Sequence, residues 1–225
     1  SILNNNGNFG DVFFVKYDTA GVIIWAKSEG GNGHDLASAL AIDPLGNIII
    51  TGHFTSNAMI FGSYTLYNFA GNNNNVWIAK YDSVGNVLWA KSSGDFGFDE
   101  SYSIAVDLLG NVIIVGGFSS TTIQFGSIVL TNAGSFVSVA SKDIFIVKFD
   151  SAGQVLWAKA IGGIYFDQAN SVKADNAGNL VVAGGFESSA ITFGLTTLTN
   201  SGFLDIYITK LNVAAGINEM EFEPT

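Results

Sequence analysis

The chain has 225 residues and a formal net charge of −10; only 12% of its residues are charged, while 48% are hydrophobic. This composition excludes a disordered tail, and an acidic chain without a single Arg argues against nucleic acid as a partner. The lack of Cys excludes a disulfide scaffold, a Cys-ligated zinc site and a thiol nucleophile.

The chain is built from repeats. Residues 1–10 are predicted to be the end of a truncated repeat, because Ser1-Ile-Leu3 aligns with Ile128-Val-Leu130. Three full repeats follow at 11–74, 75–142 and 143–204. Their opening segments are alike: Asp11-Val-Phe-Phe-Val-Lys-Tyr-Asp18, Asn75-Val-Trp-Ile-Ala-Lys-Tyr-Asp82 and Asp143-Ile-Phe-Ile-Val-Lys-Phe-Asp150.

The repeat recurs once more near the C-terminus, where 205–212 is predicted to be the first strand of a fourth copy. Residues 213–225 are predicted to be a tail or linker. In each full repeat 55 positions separate the opening residue from a closing Leu, whereas the segments between repeats span 8, 9, 13 and 7 positions. Fixed length indicates packing and variable length indicates a surface loop.

Each repeat is predicted to be β-structure throughout. Its segments of 5–8 residues are rich in Val, Ile, Phe and Trp and are separated by Asp-x-x-Gly turns. The strands are apolar at nearly every position, so both faces of each sheet should be covered. We therefore predict an all-β fold of β-propeller-type blades, each with four antiparallel strands. About three repeats and a partial one are too few to close a ring as a single chain.

The combined pattern resembles the seven-bladed β-propeller repeat family. The residues that carry the resemblance are Asp-x-Phe-x-x-Lys-Tyr-Asp-x-x-Gly-Asn-x-x-Trp-Ala-Lys, then Ala-Val-Asp-x-x-Gly-Asn, then Phe-Gly-x-x-x-Leu-x-Asn, over Ser1 to Asn212. The resemblance implies secreted or surface-exposed bacterial proteins, often from Bacteroidetes, without shared catalytic residues. Gly216-Ile-Asn-Glu219 resembles the linker before a type IX secretion sorting domain. Extracellular or outer-membrane surface localisation is therefore expected, without a transmembrane helix; the chain shows no signal peptide.

Repeated carboxylates are the first candidate site. Equivalent positions of the repeat hold Asp35, Asp99 and Asp167. The functional interpretation is that these carboxylates bind Ca²⁺ or a polar ligand, and the structural interpretation is that they accept hydrogen bonds from loop amides. Asp95, Asp99 and Glu100 place three carboxylates in one loop and form the best candidate for a metal site. Their spacing fits no EF-hand, and no other cofactor is expected.

Other repeated residues have a structural and a functional interpretation. Trp25, Trp89 and Trp157 either pack between blades or form an aromatic platform for sugar. The repeated Lys residues either pair with carboxylates or form a basic stripe. His34 and His53 do not recur, and no nucleophile motif or metal-binding His pair accompanies them.

Three functions are compatible with these features. The leading hypothesis is a noncatalytic extracellular repeat scaffold that mediates surface adhesion through protein or glycan contacts. Its candidate binding residues lie in the variable loops: Asn72, Asn73, Asn74, Phe136 and Ser138. One alternative is a self-assembling subunit, completed between chains as a ring or a filament. Another alternative is a hydrolase acting on polysaccharide.

Overall fold

The computed structural model describes residues 3, 9–134 and 141–212 of the chain. All regular structure in these ranges is β-strand, so they hold no helix that could cross a membrane. The predicted all-β fold is confirmed. The predicted tail at 213–225 and most of the predicted partial repeat at 1–10 lie outside the described residues.

Three larger sheets and the first hairpin contain most of the strands. The first hairpin pairs β1 (Val12–Tyr17) with β2 (Ile23–Glu29). Blade 1 is the antiparallel sheet formed by β3 (Asp35–Ile42), β4 (Ile48–Phe54), β7 (Asn75–Tyr81) and β8 (Val87–Ser93). Blade 2 repeats this order with β9 (Glu100–Val106), β10 (Val112–Phe118), β13 (Asp143–Phe149) and β14 (Val155–Ile161). Blade 3 contains β15 (Asp167–Ala174), β16 (Leu180–Phe186) and β19 (Asp205–Leu211).

Each blade also carries a small hairpin between its second and third strands. These hairpins pair β5 (Ala58–Phe61) with β6 (Tyr64–Tyr67), β11 (Thr122–Phe125) with β12 (Ile128–Thr131), and β17 (Ala190–Phe193) with β18 (Thr196–Thr199).

The sheets are offset from the sequence repeats. Blade 1 takes β3 and β4 from the first repeat but β7 and β8 from the second, and blade 2 combines the second and third repeats in the same way. A blade boundary therefore falls within a sequence repeat, and consecutive repeats are hydrogen-bonded to each other inside one sheet. The first strands of successive blades also pack against one another, β3 on β9 and β9 on β15. The blades are thus propeller-like, and the described sheets do not close into a ring.

The hydrophobic core lies between consecutive blades. Ile78 on β7 belongs to one apolar cluster with Ile114 and Val147 of blade 2. Ile146 on β13 lies in the next cluster with Val182 of blade 3. Because an inner blade is covered on both faces, β7, β10 and β13 are buried along their whole length. This explains why their sequences do not alternate between apolar and polar residues.

The stack of blades has two different ends. All six Asp-x-x-Gly turns, for example 43–46 and 82–85, lie at one end, which we call the turn end. The longer connections 30–34, 68–74, 94–99, 162–166 and 200–204 lie at the opposite end, the loop end. The strand register establishes this, because Asp35 pairs with Phe54 and Phe54 with Asn75.

The turns form as the sequence predicted. In the first turn of blade 1, Gly46 N donates to Asp43 O at 2.9 Å. Asp43 Oδ1 accepts hydrogen bonds from the amides of Leu45 and Asn47, both at 2.9 Å. Gly46 has a φ of 79°, a left-handed conformation that glycine adopts without a steric penalty.

Candidate functional site

The repeated Asp of each blade links that blade to the one before it. Asp99 N donates to the carbonyl of Asn74 at 2.9 Å, from the start of β9 to the residue before β7. The Asp99 side chain is buried, and its Oδ2 accepts from Ser120 Oγ at 2.6 Å and from Asp95 N at 3.0 Å. The carboxylate therefore holds the ends of two loops at the junction between blades 1 and 2.

The same arrangement recurs at the other two positions. Asp35 Oδ2 accepts from Ser56 Oγ at 2.6 Å, and Asp167 Oδ2 from Ser188 Oγ at 2.7 Å. Burial raises the pKa of all three carboxyl groups, although the hydrogen bonds from serine and from loop amides oppose the change. These contacts account for the recurrence of the residue without a bound ligand.

The three carboxylates proposed as a metal site do not converge. Within the described ranges, no group of three acidic or histidine side chains is placed to hold a metal ion. Asp99 is bonded to Ser120 and to loop amides. Glu100 Oε1 accepts from Asn74 Nδ2 at 2.6 Å, and Glu100 Oε2 pairs with Lys142 Nζ at 2.5 Å. The adjacent residues point to separate partners, so Asp95, Asp99 and Glu100 are not assembled as a ligand set.

The repeated tryptophans lie at the contacts between sheets. Trp89 Nε1 donates to the carbonyl of Ser151 in a turn of blade 2 at 3.2 Å, and Trp25 Nε1 to that of Ser83 at 3.4 Å. Trp157 is buried in the cluster between blades 2 and 3. Trp89 and Trp157 therefore expose little ring surface on which a sugar could stack.

The repeated lysines hold the turn end together. Lys80 pairs with Asp43 at 2.9 Å, Lys148 with Asp107 at 2.8 Å and Lys210 with Asp175 at 3.2 Å. Each pair joins the turn between the first two strands of a blade to a strand from the following sequence repeat. These lysines are used in the construction of the blades and do not form a continuous basic stripe.

The loop end exposes aromatic rings that the repeat does not require. Phe69, Phe96 and Phe203 are exposed to 84%, 75% and 96% in three different loops. Two of these rings have no aromatic equivalent in the other repeats, since Phe69 corresponds to Ala133 and Ser201 and Phe96 to Asn32 and Ile164. Phe203 corresponds to Phe9, each two residues before an opening Asp. The Asp-x-x-Gly turns at the opposite end contain no aromatic residue. We call the exposed rings of the loop end the aromatic face: Phe9, Phe69, Phe96, Phe98, Tyr165 and Phe203.

The candidate binding loop 68–74 lies on this face and is internally braced. Asn73 Nδ2 donates to the carbonyl of Ala70 at 2.9 Å, and Asn74 is held by its bonds to Glu100 and Asp99. Asn72 is exposed. Of the predicted binding residues, Asn72 is thus free to meet a partner, whereas Asn73 and Asn74 shape the loop. Phe136 and Ser138 lie outside the described residues.

The junction of blades 1 and 2 contains an ionic cluster that the sequence did not reveal. Lys142 Nζ contacts Glu100 and also donates to Tyr102 Oη at 2.9 Å, while Tyr102 donates to Glu100. Burial opposes ionisation of Glu100, but Lys142 and Tyr102 lower its pKa to about 2. His53 Nε2 lies 4.0 Å from Glu100, and burial lowers the pKa of this histidine. The sequence held one signal for this cluster: His53, Glu100, Tyr102 and Lys142 all differ from the residues at the equivalent positions of the other repeats.

A polar groove opens between blade 1 and the small hairpin of blade 2. It has a volume of about 320 Å³ and is lined by Tyr67, Ser92, Ser93 and Gln124. The Tyr67 ring lies at one side of the groove and stacks with Phe69 of the aromatic face, with centroids 5.7 Å apart and planes inclined by 15°. The groove therefore continues the exposed aromatic surface into a recess with hydroxyl and amide groups.

Comparison with known proteins finds two curated relatives and a solved structure to which the chain is similar. No protein-family model matches it. It is 29% identical over 143 residues to the uncharacterized WD repeat-containing protein L264 of Acanthamoeba polyphaga mimivirus, an alignment that covers 61% of this chain and 10% of that protein. It is 25% identical over 235 residues to the regulatory protein FlaEY of Caulobacter vibrioides, covering 92% of this chain and 24% of that protein.

The chain therefore spans a tenth and about a quarter of the lengths of these curated relatives. Among solved structures, a protein of unknown function from Bacteroides caccae is 13% identical, with a TM-score of 0.33 over 94% of this chain and 71% of that chain.

Proposed function

We propose that this chain is a noncatalytic, extracellular repeat scaffold that binds another macromolecule through its loop end, as in surface adhesion. The observation that supports this function is a division of roles. The repeated Asp, Lys and Trp residues hold the blades together, Asp99 and Lys80 by bonds within a blade and Lys80 and Trp89 by bonds to the next blade, whereas the aromatic face consists of exposed rings in loops. Exposed aromatic side chains on a rigid framework are typical of interaction surfaces.

The similarity to a protein named for its WD repeats supports a role in protein interaction. Composition gives further support, since loop 68–74 combines Phe69 with Asn and Gly residues and loop 94–99 combines Phe96 and Phe98 with Gly and Asp residues. Rigid aromatic rings supply contact area and small polar residues supply adaptable hydrogen bonds, as in antibody binding loops.

Screening the chain on arrays of peptides and glycans tests the proposal. The loop-end variant carries Phe69→Ala, Phe96→Ala and Phe203→Ala; the control carries Leu45→Ala, Val84→Ala and Leu109→Ala, which lie exposed at the turn end. We expect the wild type and the control to retain the same partners and the loop-end variant to lose them. Equal binding by both variants would contradict the assignment of function to the loop end.

One observation favours a second candidate function, head-to-tail association of copies. Ile206 and Ile208 on β19 are 83% and 74% exposed, whereas the equivalent Ile144 and Ile146 on β13 are fully buried against the next blade. Phe13 on β1 is likewise exposed where the equivalent Trp77 is buried. The outermost described sheets thus offer apolar faces that inner blades cover.

Sedimentation analysis of the chain and of its Ile208→Lys variant tests this second candidate. A concentration-dependent increase in mass that Ile208→Lys abolishes is the expected result. A monomer at every concentration would rule the association out. Because Ile208 lies on a blade face and not on the aromatic face, the two proposed functions can fail independently.

A further inference from the structure

The charges of the described residues are unevenly distributed between the two ends. Carboxylates occur at both ends, but five of the nine lysines lie beside the turn end of their strands (Lys16, Lys80, Lys148, Lys173 and Lys210) and three lie in mid-strand (Lys27, Lys91 and Lys159). The lysine at the loop end is Lys142, which directly precedes β13. The carboxylates of the loop end are Asp11, Glu29, Asp35, Asp95, Asp99, Glu100, Asp143, Asp167, Glu187 and Asp205.

Lys142 does not offset this charge at the surface. Its residue exposure is 5%, and its ammonium group is bonded to Glu100 and Tyr102. At the turn end, in contrast, Asp43, Asp107 and Asp175 each have a lysine partner. Among the described residues, negative charge is therefore least balanced by lysine at the loop end, where the aromatic face is exposed.

Carboxylates and rings alternate closely on this face. Asp95 is exposed and is followed in the same loop by Phe96, and Asp205 follows the loop that holds Phe203. Glu187 is exposed, and its backbone amide donates at 2.8 Å to the carbonyl of Phe166, the residue after Tyr165. The face of an aromatic ring attracts a cation, and a neighbouring carboxylate can pair with the same cation.

We propose that the loop end recognises a protein segment rich in Arg or Lys, whose cationic groups stack on the aromatic face and pair with Asp95 and Glu187. This inference rests on the proposed binding function and names the class of partner. Anionic partners such as sulfated glycans are repelled by the carboxylates, and a neutral glycan gains nothing from them. A cationic segment satisfies both features of the surface.

The test measures binding of a short synthetic peptide of alternating Arg and Ser, with a peptide of alternating Glu and Ser as the negative probe. The loop-end charge variant is Asp95→Asn with Glu187→Gln. The control is Asp18→Asn with Asp150→Asn, which removes the same amount of charge at the turn end. In the control, the Asn side-chain oxygen can accept the turn hydrogen bonds that the Asp carboxylate accepts in the wild type.

We expect the Arg peptide to bind the wild type and the control alike, about tenfold more weakly to the loop-end charge variant, and more weakly as salt is raised. The combination Phe69→Ala with Phe96→Ala should weaken binding by a similar factor. The Glu peptide should not bind. Equal weakening in the control and the loop-end charge variant would overturn the inference, because it would indicate a response to net charge alone.

The outcome also separates this inference from the proposed function. If the aromatic substitutions abolish binding of an array partner while the charge substitutions leave it unchanged, the loop end binds a partner but not a cationic one. If neither set of substitutions changes binding of any partner, the proposed function itself fails. Binding of a sulfated glycan by the aromatic face would likewise refute recognition of a cationic segment.

Discussion

Lys80 Nζ lies 2.9 Å from Asp43 Oδ2, in an ion pair whose side chains are only 3% and 2% exposed. The same ammonium group donates to the carbonyl of Ser151 in blade 2 at 3.1 Å. One lysine thus joins two sequence repeats within blade 1 and then blade 1 to blade 2. Burial opposes ionisation of Asp43, but hydrogen bonds from Lys80 and Asn47 lower its pKa.

Removing this lysine should destabilise the protein strongly. Lys80→Met is expected to lower the free energy of unfolding by about 3–5 kcal/mol, because it leaves the Asp43 carboxylate buried without its partner. The matched control is Lys210→Met. The Lys210–Asp175 pair has side chains that are 41% and 35% exposed, so its loss should cost about 0–1 kcal/mol. Urea denaturation measures both, and equal losses would contradict the dependence on burial.

The sequence predicted the parts of the fold that depend on local spacing. The Asp-x-x-Gly turns and the apolar strands follow from residue types alone, and both form as expected. The sequence did not predict that Trp89 donates to the backbone carbonyl of Ser151. Every residue has a backbone carbonyl, so the residue type at position 151 does not indicate this bond. The offset of the blades from the repeats was hidden for a similar reason, since a periodic sequence does not specify where a sheet begins.

The site was less predictable than the fold. Glu100 and Lys142 are 42 positions apart, and their ion pair is formed at one blade junction and is not repeated at the other. No recurring sequence pattern therefore indicated that these two residues are in contact. The aromatic face was missed because exposure cannot be read from a residue such as Phe69, which is apolar like the core positions. The exposure of Asn72 follows from its place in a length-variable loop, a signal that does report on the surface, and its role in binding stays a prediction.

The pH dependence of stability should contain a contribution from Asp143. This residue is 2% exposed, its Oδ1 has no hydrogen-bond partner within the described residues, and burial raises its pKa to about 6 from 3.8. Protonation therefore favours the folded state. This contribution should lower the free energy of unfolding as the pH rises from about 4 to about 6 and should leave it lower at neutral pH, by about 3 kcal/mol.

Asp143→Asn is expected to remove the contribution of Asp143, leaving those of Asp35, Asp99 and Asp167, whose pKa burial also raises, and to stabilise the protein at neutral pH. The equivalent residue Asn75 shows how an amide fits: when its amide is assigned the orientation that satisfies its hydrogen bonds, Nδ2 lies 3.2 Å from the carbonyl of Asn74 and 3.3 Å from that of Asp95. The reciprocal change Asn75→Asp should destabilise the protein at pH 7 more than at pH 4. Thermal unfolding across this range measures both variants, and unchanged profiles would show that Asp143 is not the titrating group.

Turn glycines that pack against a neighbouring blade should tolerate substitution less well than those that do not. Gly153 has a φ of 81°, and a Cβ atom there would lie 2.9 Å from Cδ2 of Trp89. Gly178 has a φ of 83° and nothing within 4 Å of its Cβ position. Both changes to Ala carry the cost of a left-handed conformation, about 1–2 kcal/mol.

The difference between these two variants isolates the contact between blades. Gly153→Ala should cost about 1–3 kcal/mol more than Gly178→Ala, since the added methyl group overpacks the indole of Trp89. Denaturant unfolding gives the two free energies. Equal destabilisation would mean that the turn of blade 2 moves away from Trp89 without penalty.

The contribution of the ionic cluster at the junction of blades 1 and 2 to stability can be tested by comparison with the equivalent uncharged pair of blade 3. At the positions equivalent to Glu100 and Lys142, blade 3 has Gln168 and Leu204. Lys142→Leu alone leaves Glu100 without its cation, at a cost of about 3 kcal/mol or more.

The double variant Glu100→Gln with Lys142→Leu reproduces the pair found in blade 3 and removes both charges. We expect it to recover most of the stability lost by Lys142→Leu, giving a coupling energy of about 2 kcal/mol in a double-mutant cycle measured by urea denaturation. Additive losses would show that Glu100 is solvated without Lys142, and that the pair contributes little to the junction.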